Sequence, residues 1–141
     1  MNNDDYYMEL AIKEAYKSKQ LNEIPVGAII VDRDGKIISK AHNNKENTNI
    51  SIAHAEINAI IKANKKNKNW RLNNCIMYVT LEPCEMCKRV IEESRIQKVV
   101  YSSKNYNYKE FQCCYVKISN QKIINDTDNI INDSFRNIRN K

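Results

Sequence analysis

Two short motifs on separate predicted helices constrain this chain more than any other feature of its sequence. The first, H-A-E, begins at His54, and the second, P-C-E-M-C, begins at Pro83. Imidazole and thiolate are ligands that Zn²⁺ prefers in proteins, and three protein ligands leave a fourth tetrahedral position open for water. The motifs therefore predict a fold that brings two helix starts together around one zinc ion per subunit, with His54, Cys84 and Cys87 as its ligands.

Each motif by itself is a weak signal, because a lone histidine is often structural and a lone C-x-x-C pair also occurs in redox proteins. In combination they are specific. Cys84 and Cys87 lie three positions apart, so a helix places both sulfur atoms on one face. The positive end of the helix dipole also favours the thiolate form that binds metal. These features favour a metal site over a redox pair.

Glu56 supplies a carboxylate beside the predicted zinc ligands. Bound zinc lowers the pKa of a water ligand towards about 7, and a nearby carboxylate can accept the proton. In a regular helix, however, residues two positions apart point in nearly opposite directions. His54 and Glu56 can therefore share a site only where loop becomes helix, and Ser51 is the predicted N-cap of that helix. We interpret Glu56 as the candidate catalytic residue, with a solvated helix residue as the alternative.

The hydrophobic pattern alternates between helical and strand periods along the chain. It predicts helices over 4–20, from Ser51 to the lysine-rich run, and over 83–94, with strands over 26–31, 36–41, 75–80 and 98–102. Asp34-Gly35 is typical of a hairpin turn. An extended edge element is predicted over 115–124, and Asp126 or Thr127 is predicted to cap a last helix. The order predicts an α/β protein, a single domain over 1–141 built as a three-layer α/β/α sandwich with a central mixed sheet of about five strands.

The chain carries 23 Lys and Arg against 17 Asp and Glu, a net charge of +6 that is compatible with an anionic partner such as nucleic acid. Asn, Ile and Lys together supply 21, 20 and 17 residues, so A/T-rich codon usage explains part of the lysine content. Clustering over 62–71 and at the C-terminus favours a functional basic surface. The charge alone is weak evidence for nucleic-acid binding.

The N-terminus is acidic and lacks an apolar segment typical of secretory signals, and no apolar run is long enough to cross a bilayer. Five cysteines, an odd number, argue against a disulfide framework. Cys75 is predicted to be buried, and Cys113 and Cys114 are predicted to be free thiols. These observations predict a cytoplasmic protein without a membrane partner.

Several stretches of the sequence resemble bacterial tRNA-specific adenosine deaminases of the cytidine deaminase-like superfamily. The His-x-Glu and Pro-Cys-x-x-Cys pattern is that of the zinc nucleobase deaminases. Asn43 precedes His54 by eleven residues, as in that family. The resemblance runs from about Leu10 to Tyr101, and the matching stretches are 22–28, 41–43, 53–57, 70–72, 78–84, Met86-Cys87 and 94–96.

The resemblance implies a cytidine deaminase-like fold and hydrolysis of adenosine to inosine, with release of ammonia, at the wobble position of tRNA anticodons. It implies that His54, Cys84 and Cys87 hold zinc, that Glu56 activates a water and shuttles its proton, and that Asn43 hydrogen-bonds the flipped adenine. It further implies a homodimer that binds the tRNA anticodon stem-loop. In the last helix, Phe135, Arg136 and Arg139 are similar to the family's aromatic and basic residues.

The sequence departs from the family pattern at residues 50–53, at His42, at Lys88-Arg89 and in the segment 104–114, which is short and lacks the usual glycine-containing stretch. Two alternatives therefore remain. One is a deaminase of a free base or nucleoside of the cytosine or guanine type. The other is a non-catalytic, zinc-stabilised RNA-binding subunit, which would have no need of Glu56.

Overall fold

A computed structural model describes residues 3–106 and 113–139, with side chains up to residue 137. Its elements, in chain order, are α1 (Asn3–Gln20), β1 (Gly27–Val31), β2 (Ile37–His42), α2 (Lys45–Thr48), α3 (Ala55–Asn67), β3 (Ile76–Leu81), α4 (Glu85–Glu93), β4 (Lys98–Ser103) and α5 (Gln121–Arg139). The chain divides into two compact units, Met1–Tyr108 and Lys109–Lys141. The first unit contains the sheet and all candidate site residues.

The four strands form one mixed sheet in the order β2-β1-β3-β4. Strand β1 pairs antiparallel with β2 and with β3, whereas β3 and β4 run parallel. All five residues of β1 are buried, which is expected of a central strand covered by helices on both faces. The parallel β3–β4 pair needs a crossover, and α4 supplies it.

Helices cover the sheet on both faces and give the first unit its three layers. On one face, Ala11 of α1 packs against Ile29, Val31 and Tyr78. On the other face, α3 and α4 pack over a larger cluster that includes Ala28, Ile30, Met77, Val79, Ala59, Ile60 and Ile91. Gly27 permits the close approach of α1, since a Cβ there would lie 1.9 Å from the Ala11 carbonyl oxygen.

The predicted α/β sandwich with a mixed central sheet is confirmed, with four strands in the described residues. The expected extended element over 115–124 is wrong, because 113–120 has no regular structure and α5 begins at Gln121. The predicted caps Asp126 and Thr127 are also wrong. Asn120 takes that role, its side-chain oxygen accepting the N–H groups of Lys122 and Ile123 at 3.0 and 3.3 Å.

Other expectations have mixed outcomes. Cys75 is buried, and Cys113 and Cys114 are exposed free thiols, as predicted. No helix within residues 3–106 and 113–139 is long and apolar enough to cross a membrane. The single-domain assignment stays a prediction. Residues 107–112 of the divergent segment and the side chain of Arg139 lie outside the described residues.

Candidate metal centre

Both metal-binding motifs lie at the junction between an extended loop and a helix. His54 is the N-cap of α3, with φ −76° and ψ 154°, and Cys84 is the N-cap of α4, with φ −69° and ψ 170°. The prediction that Ser51 caps α3 is wrong, because Ser51 lies inside a turn closed by the Ala53 N–H and the Ile50 carbonyl at 3.1 Å. The helix therefore begins three residues later than a cap at Ser51 predicts, directly after His54.

This fold brings the three predicted zinc ligands together. The Nδ1 atom of His54 lies 3.8 Å from the Cys84 sulfur and 3.4 Å from the Cys87 sulfur. All three donor atoms lie within 4.8 Å of one another. Ideal tetrahedral zinc, with Zn–N and Zn–S bonds of ordinary length, separates a nitrogen from a sulfur donor by about 3.6 Å. The donor set and its spacing therefore fit Zn²⁺ with one coordination position left for a non-protein ligand.

Glu56 is the second residue of α3 and lies against this cluster. It is 4% exposed, and its carboxyl group hydrogen-bonds the Cys87 side chain. Within a regular helix, the side chains of residues 54 and 56 would point in opposite directions. Because His54 has extended backbone and Glu56 is helical, both side chains can face the same cluster. Burial raises the pKa of the Glu56 carboxyl above its ordinary value, which suits a group that takes up and releases a proton.

Hydrogen bonds among the three donors favour the thiolate form of Cys84. Hydrogen bonds from Cys87 and His54 lower the pKa of the Cys84 thiol to about 4. The hydrogen bond to Cys84, together with burial, raises the pKa of Cys87, and the hydrogen bond to Cys84 raises the pKa of His54. A metal ion would displace the protons that Cys87 and His54 contribute to these bonds.

Asn43 follows the end of β2 and is buried, at 8% exposure. Its Nδ2 donates to the Ile24 carbonyl at 3.1 Å, and its Oδ1 accepts the Lys45 N–H at 3.2 Å. These two contacts tie Asn43 to the chain around it and do not involve the three donor atoms. The neighbouring Asn44 N–H donates to the Ala53 carbonyl at 3.1 Å. This hydrogen bond holds the segment around Asn43 against the residue that directly precedes His54.

Sequence reasoning assigned no role to Glu23, although it lies in one of the matching stretches. Its carboxylate accepts the N–H groups of Glu46 and Asn47 at 3.0 and 2.7 Å, and the Asn47 side chain at 2.6 Å. Burial opposes ionisation, but these hydrogen bonds outweigh it and lower the pKa of Glu23. Glu23 thus caps α2 from a distance and holds the segment that follows Asn43.

Comparison with known proteins gives a consistent match. The family model described as the cytidine and deoxycytidylate deaminase zinc-binding region matches residues 1–103. A tRNA-specific adenosine deaminase of Streptococcus pyogenes serotype M1 is 42% identical over 118 residues, covering 84% of this chain and 68% of that protein. The corresponding protein of Bacillus subtilis strain 168 is 47% identical over 103 residues, covering 73% of this chain and 63% of that protein.

Two solved structures are similar in fold. One, from work on A-to-I editing by tRNA:A34 deaminases at the wobble position, has a TM-score of 0.69 at 38% identity and covers 72% of this chain and 77% of that one. The other is guanine deaminase from Bacillus subtilis, with a TM-score of 0.79 at 26% identity over 94% of this chain and 95% of that one. The better sequence match is to the editing deaminase, and the longer structural match is to the guanine deaminase.

Proposed function

The chain belongs to the family of the cytidine and deoxycytidylate deaminase zinc-binding region, and we propose that it hydrolyses adenosine to inosine at the wobble position of tRNA anticodons. The observation that carries the chemistry is the buried Glu56 beside the three-donor cluster. The sequence identity of 42–47% to tRNA-specific adenosine deaminases is the observation that supports tRNA adenosine as the substrate. The predicted family and the zinc cofactor are confirmed.

Each site residue has a role that follows from its position. His54, Cys84 and Cys87 hold the zinc, which when bound supplies Lewis-acid activation of water at neutral pH. The Glu56 carboxylate takes the proton from the attacking water and delivers it first to the purine ring and then to the leaving nitrogen. Water and adenosine thereby become inosine and ammonia: a C–O bond forms at C6, and the bond from C6 to the exocyclic amino nitrogen breaks.

A base in a duplex cannot reach a site of this kind, whereas an anticodon-loop base can leave its stack at low cost. The Asn43 amide uses one N–H group for the Ile24 carbonyl and one lone pair for the Lys45 N–H, and its second N–H group and second lone pair can orient the flipped base. The positive charge of the chain can neutralise loop phosphates. Action on tRNA, together with five free cysteines, fits a reducing cytoplasm.

Incubation of zinc-loaded protein with an anticodon stem-loop RNA that carries a wobble adenosine tests this function. We expect inosine at that position only, read by sequencing, and no change when the wobble adenosine is replaced by guanosine. The rate should fall as salt rises, because RNA binding releases counterions from the phosphates. Inosine at several loop positions, or at none, would contradict the proposal.

Free guanine is the competing substrate, favoured by the extent of the structural match to guanine deaminase. Ammonia release from guanine, measured with the same protein preparation, distinguishes the two. Turnover of guanine without inosine formation in RNA would support the zinc-dependent deamination and refute the tRNA substrate. Zinc binding without turnover of either compound would favour the non-catalytic RNA-binding subunit.

We further propose that the protein is a homodimer, paired through an apolar groove between α3 and α4. The groove is lined by Ile52, Ile61 and Trp70, which are 48%, 43% and 46% exposed. Its rim carries both signs of charge: Glu93 lines it, and the guanidinium carbons of Arg71 and Arg95 lie 4.3 and 5.4 Å from the Trp70 ring centroid. In a symmetric contact, Glu93 of one copy can pair with Arg71 or Arg95 of the other, which favours a second copy of this chain as the occupant.

Ile61→Lys tests the dimer. A charge buried in an apolar interface is unfavourable, so we expect the dimer dissociation constant to rise at least roughly tenfold in sedimentation equilibrium. Ile12→Lys is the matched control, since Ile12 is 40% exposed but lies on α1. An unchanged dissociation constant for Ile61→Lys, or an equal loss with Ile12→Lys, would contradict the proposed interface.

A further inference from the structure

Asn58, which carries no role in the proposed mechanism, lies where two parts of the site meet. It is on α3, one turn beyond His54, and its backbone N–H donates to the His54 carbonyl at 2.9 Å. Its side chain is half-buried and points away from the helix toward the end of β2. The residues it contacts come from the segment that contains Asn43 and from the chain directly before His54.

Three oxygen atoms surround the side-chain nitrogen of Asn58. The Nδ2 atom donates to the His42 carbonyl and to Asn44 Oδ1, both at 2.9 Å, and lies 3.4 Å from the Ala53 carbonyl. A side-chain amide has two N–H groups, so the two short bonds use both and the third contact is shared. The opposite amide orientation would place Oδ1 against the backbone carbonyls of His42 and Ala53, which only accept, so these two contacts determine which end faces them.

The three acceptors belong to chain neighbours of Asn43 and His54, the two residues that the chemistry has to align. His42 and Asn44 flank Asn43, which orients the base in the proposed function. Ala53 directly precedes the metal ligand His54. Ser18 and Glu23 also hold this segment: the Ser18 hydroxyl donates to the Asn43 carbonyl at 2.7 Å, and the Glu23 carboxylate accepts the N–H groups of residues 46 and 47. Asn58 holds it to the helix that begins at the metal centre.

We propose that Asn58 is a positioning residue that sets the alignment of the Asn43 side chain relative to the metal centre; the proposal rests on the function proposed above. Asn58 is not one of the three donors, and its side chain bonds to the His42 carbonyl and to Asn44. It acts through the backbone of residues 42–44 and 53, where a displacement of about 1 Å can cost roughly 100-fold in rate. We call the hydrogen bonds of the Asn58 side chain to His42, Asn44 and Ala53 the Asn58 clamp. Its loss therefore affects the chemical step more than RNA binding, which depends mainly on phosphate contacts.

Asn58→Leu is the first test, because leucine has a similar volume and no hydrogen-bond donor. With the anticodon stem-loop as substrate, we expect kcat to fall roughly 10- to 100-fold, KM to stay within about threefold, and zinc to remain at one per subunit. Asn64→Leu is the matched control. Asn64 is also half-buried on α3, and its side chain donates to the carbonyls of Asn69 and Trp70 at 3.2 and 3.1 Å.

Each variant loses two side-chain hydrogen bonds, so their urea midpoints should fall by similar amounts. Because Asn64 lines the groove proposed for the dimer, sedimentation verifies that both variants keep the wild-type oligomeric state. Only Asn58→Leu should lose kcat. A kcat within twofold of wild type in Asn58→Leu, or an equal loss in Asn64→Leu, would overturn the positioning role.

Asn44→Ala gives a second test that leaves α3 intact, and it decides the question if Asn58→Leu does not fold. It removes one acceptor of the clamp, so a smaller loss of kcat is expected. The single variant Asn58→Ser completes a cycle with Asn44→Ala, and the double variant Asn44→Ala/Asn58→Ser should be less impaired in kcat than the product of these two single effects, because both changes disrupt one network. An unchanged kcat for Asn44→Ala together with independent effects would refute the clamp.

Wild-type protein in the same assay separates this inference from the proposed function. Inosine formation by wild type, with Asn58→Leu equally active, overturns the inference alone. No inosine but ammonia release from guanine overturns the tRNA substrate, and the kcat comparison is then made with guanine. No turnover of either substrate by zinc-loaded wild type overturns both.

Discussion

Glu56→Gln should abolish inosine formation while leaving zinc and fold in place. The amide keeps the volume of the carboxyl group but cannot take the proton from water or return it to the leaving nitrogen. General acid–base groups contribute roughly 10²- to 10⁴-fold each, and Glu56 acts in two transfers, so we expect kcat to fall at least about 10³-fold. Single-turnover inosine formation on an anticodon stem-loop RNA measures this loss, and elemental analysis measures zinc per subunit.

Glu85→Gln is the control for the change of charge near the metal. Glu85 is the first residue of α4, next to Cys84, and its side chain is 59% exposed. It should keep activity within about twofold, because an exposed charge is screened by solvent. Residual activity of Glu56→Gln within tenfold of wild type would refute the proton-transfer role, and a loss of zinc would make Glu56 a structural support of the metal site.

Cys87→Ala should lose both the metal and the activity. Cys87 is fully buried, and its sulfur is the donor nearest to His54, at 3.4 Å. With two donors left, zinc should fall from one per subunit to a small fraction after dialysis, and inosine formation should fall below detection. Zinc bound only to the folded state also stabilises it. A chelator should therefore lower the thermal midpoint of wild type and leave that of Cys87→Ala unchanged.

Cys75→Ala is the matched control, since Cys75 is also buried but packs in the hydrophobic core and is not one of the three donors. Cys75→Ala also removes one buried sulfur atom, and the small cavity that results should lower the free energy of unfolding by a similar amount. It should nevertheless keep one zinc per subunit and its response to the chelator. Stoichiometric zinc in Cys87→Ala would contradict the ligand assignment, and loss of zinc in both variants would show an effect of folding alone.

The chemistry of the candidate site could be predicted from the sequence because it depends on residue type and spacing. A histidine, a C-x-x-C pair and a carboxylate two residues after the histidine specify soft donors and a proton carrier whatever the exact fold. The alternating helix and strand periods likewise predicted the layered architecture. Strand β1 is fully apolar, as a central strand covered on both faces must be.

Boundaries were less predictable, because local signals compete. Ser51 is a good N-cap residue, but a turn closed between Ile50 and Ala53 occupies that position, so His54 became the cap. In the last helix, Asn120 precedes the predicted caps and begins α5 earlier. Both errors arose because several polar residues of similar capping strength lie within a few positions of one another.

The sequence by itself determined which donors and which carboxylate this protein offers, since the donor atoms that a side chain carries depend on residue type alone. Only the tertiary structure decided that His54 has extended backbone while Glu56 is helical, which lets both face the same cluster. It also decided that Asn58, one asparagine among 21, lies between His42, Asn44 and Ala53. Contacts of this kind join residues far apart in the chain, and no local pattern encodes which asparagine will make them.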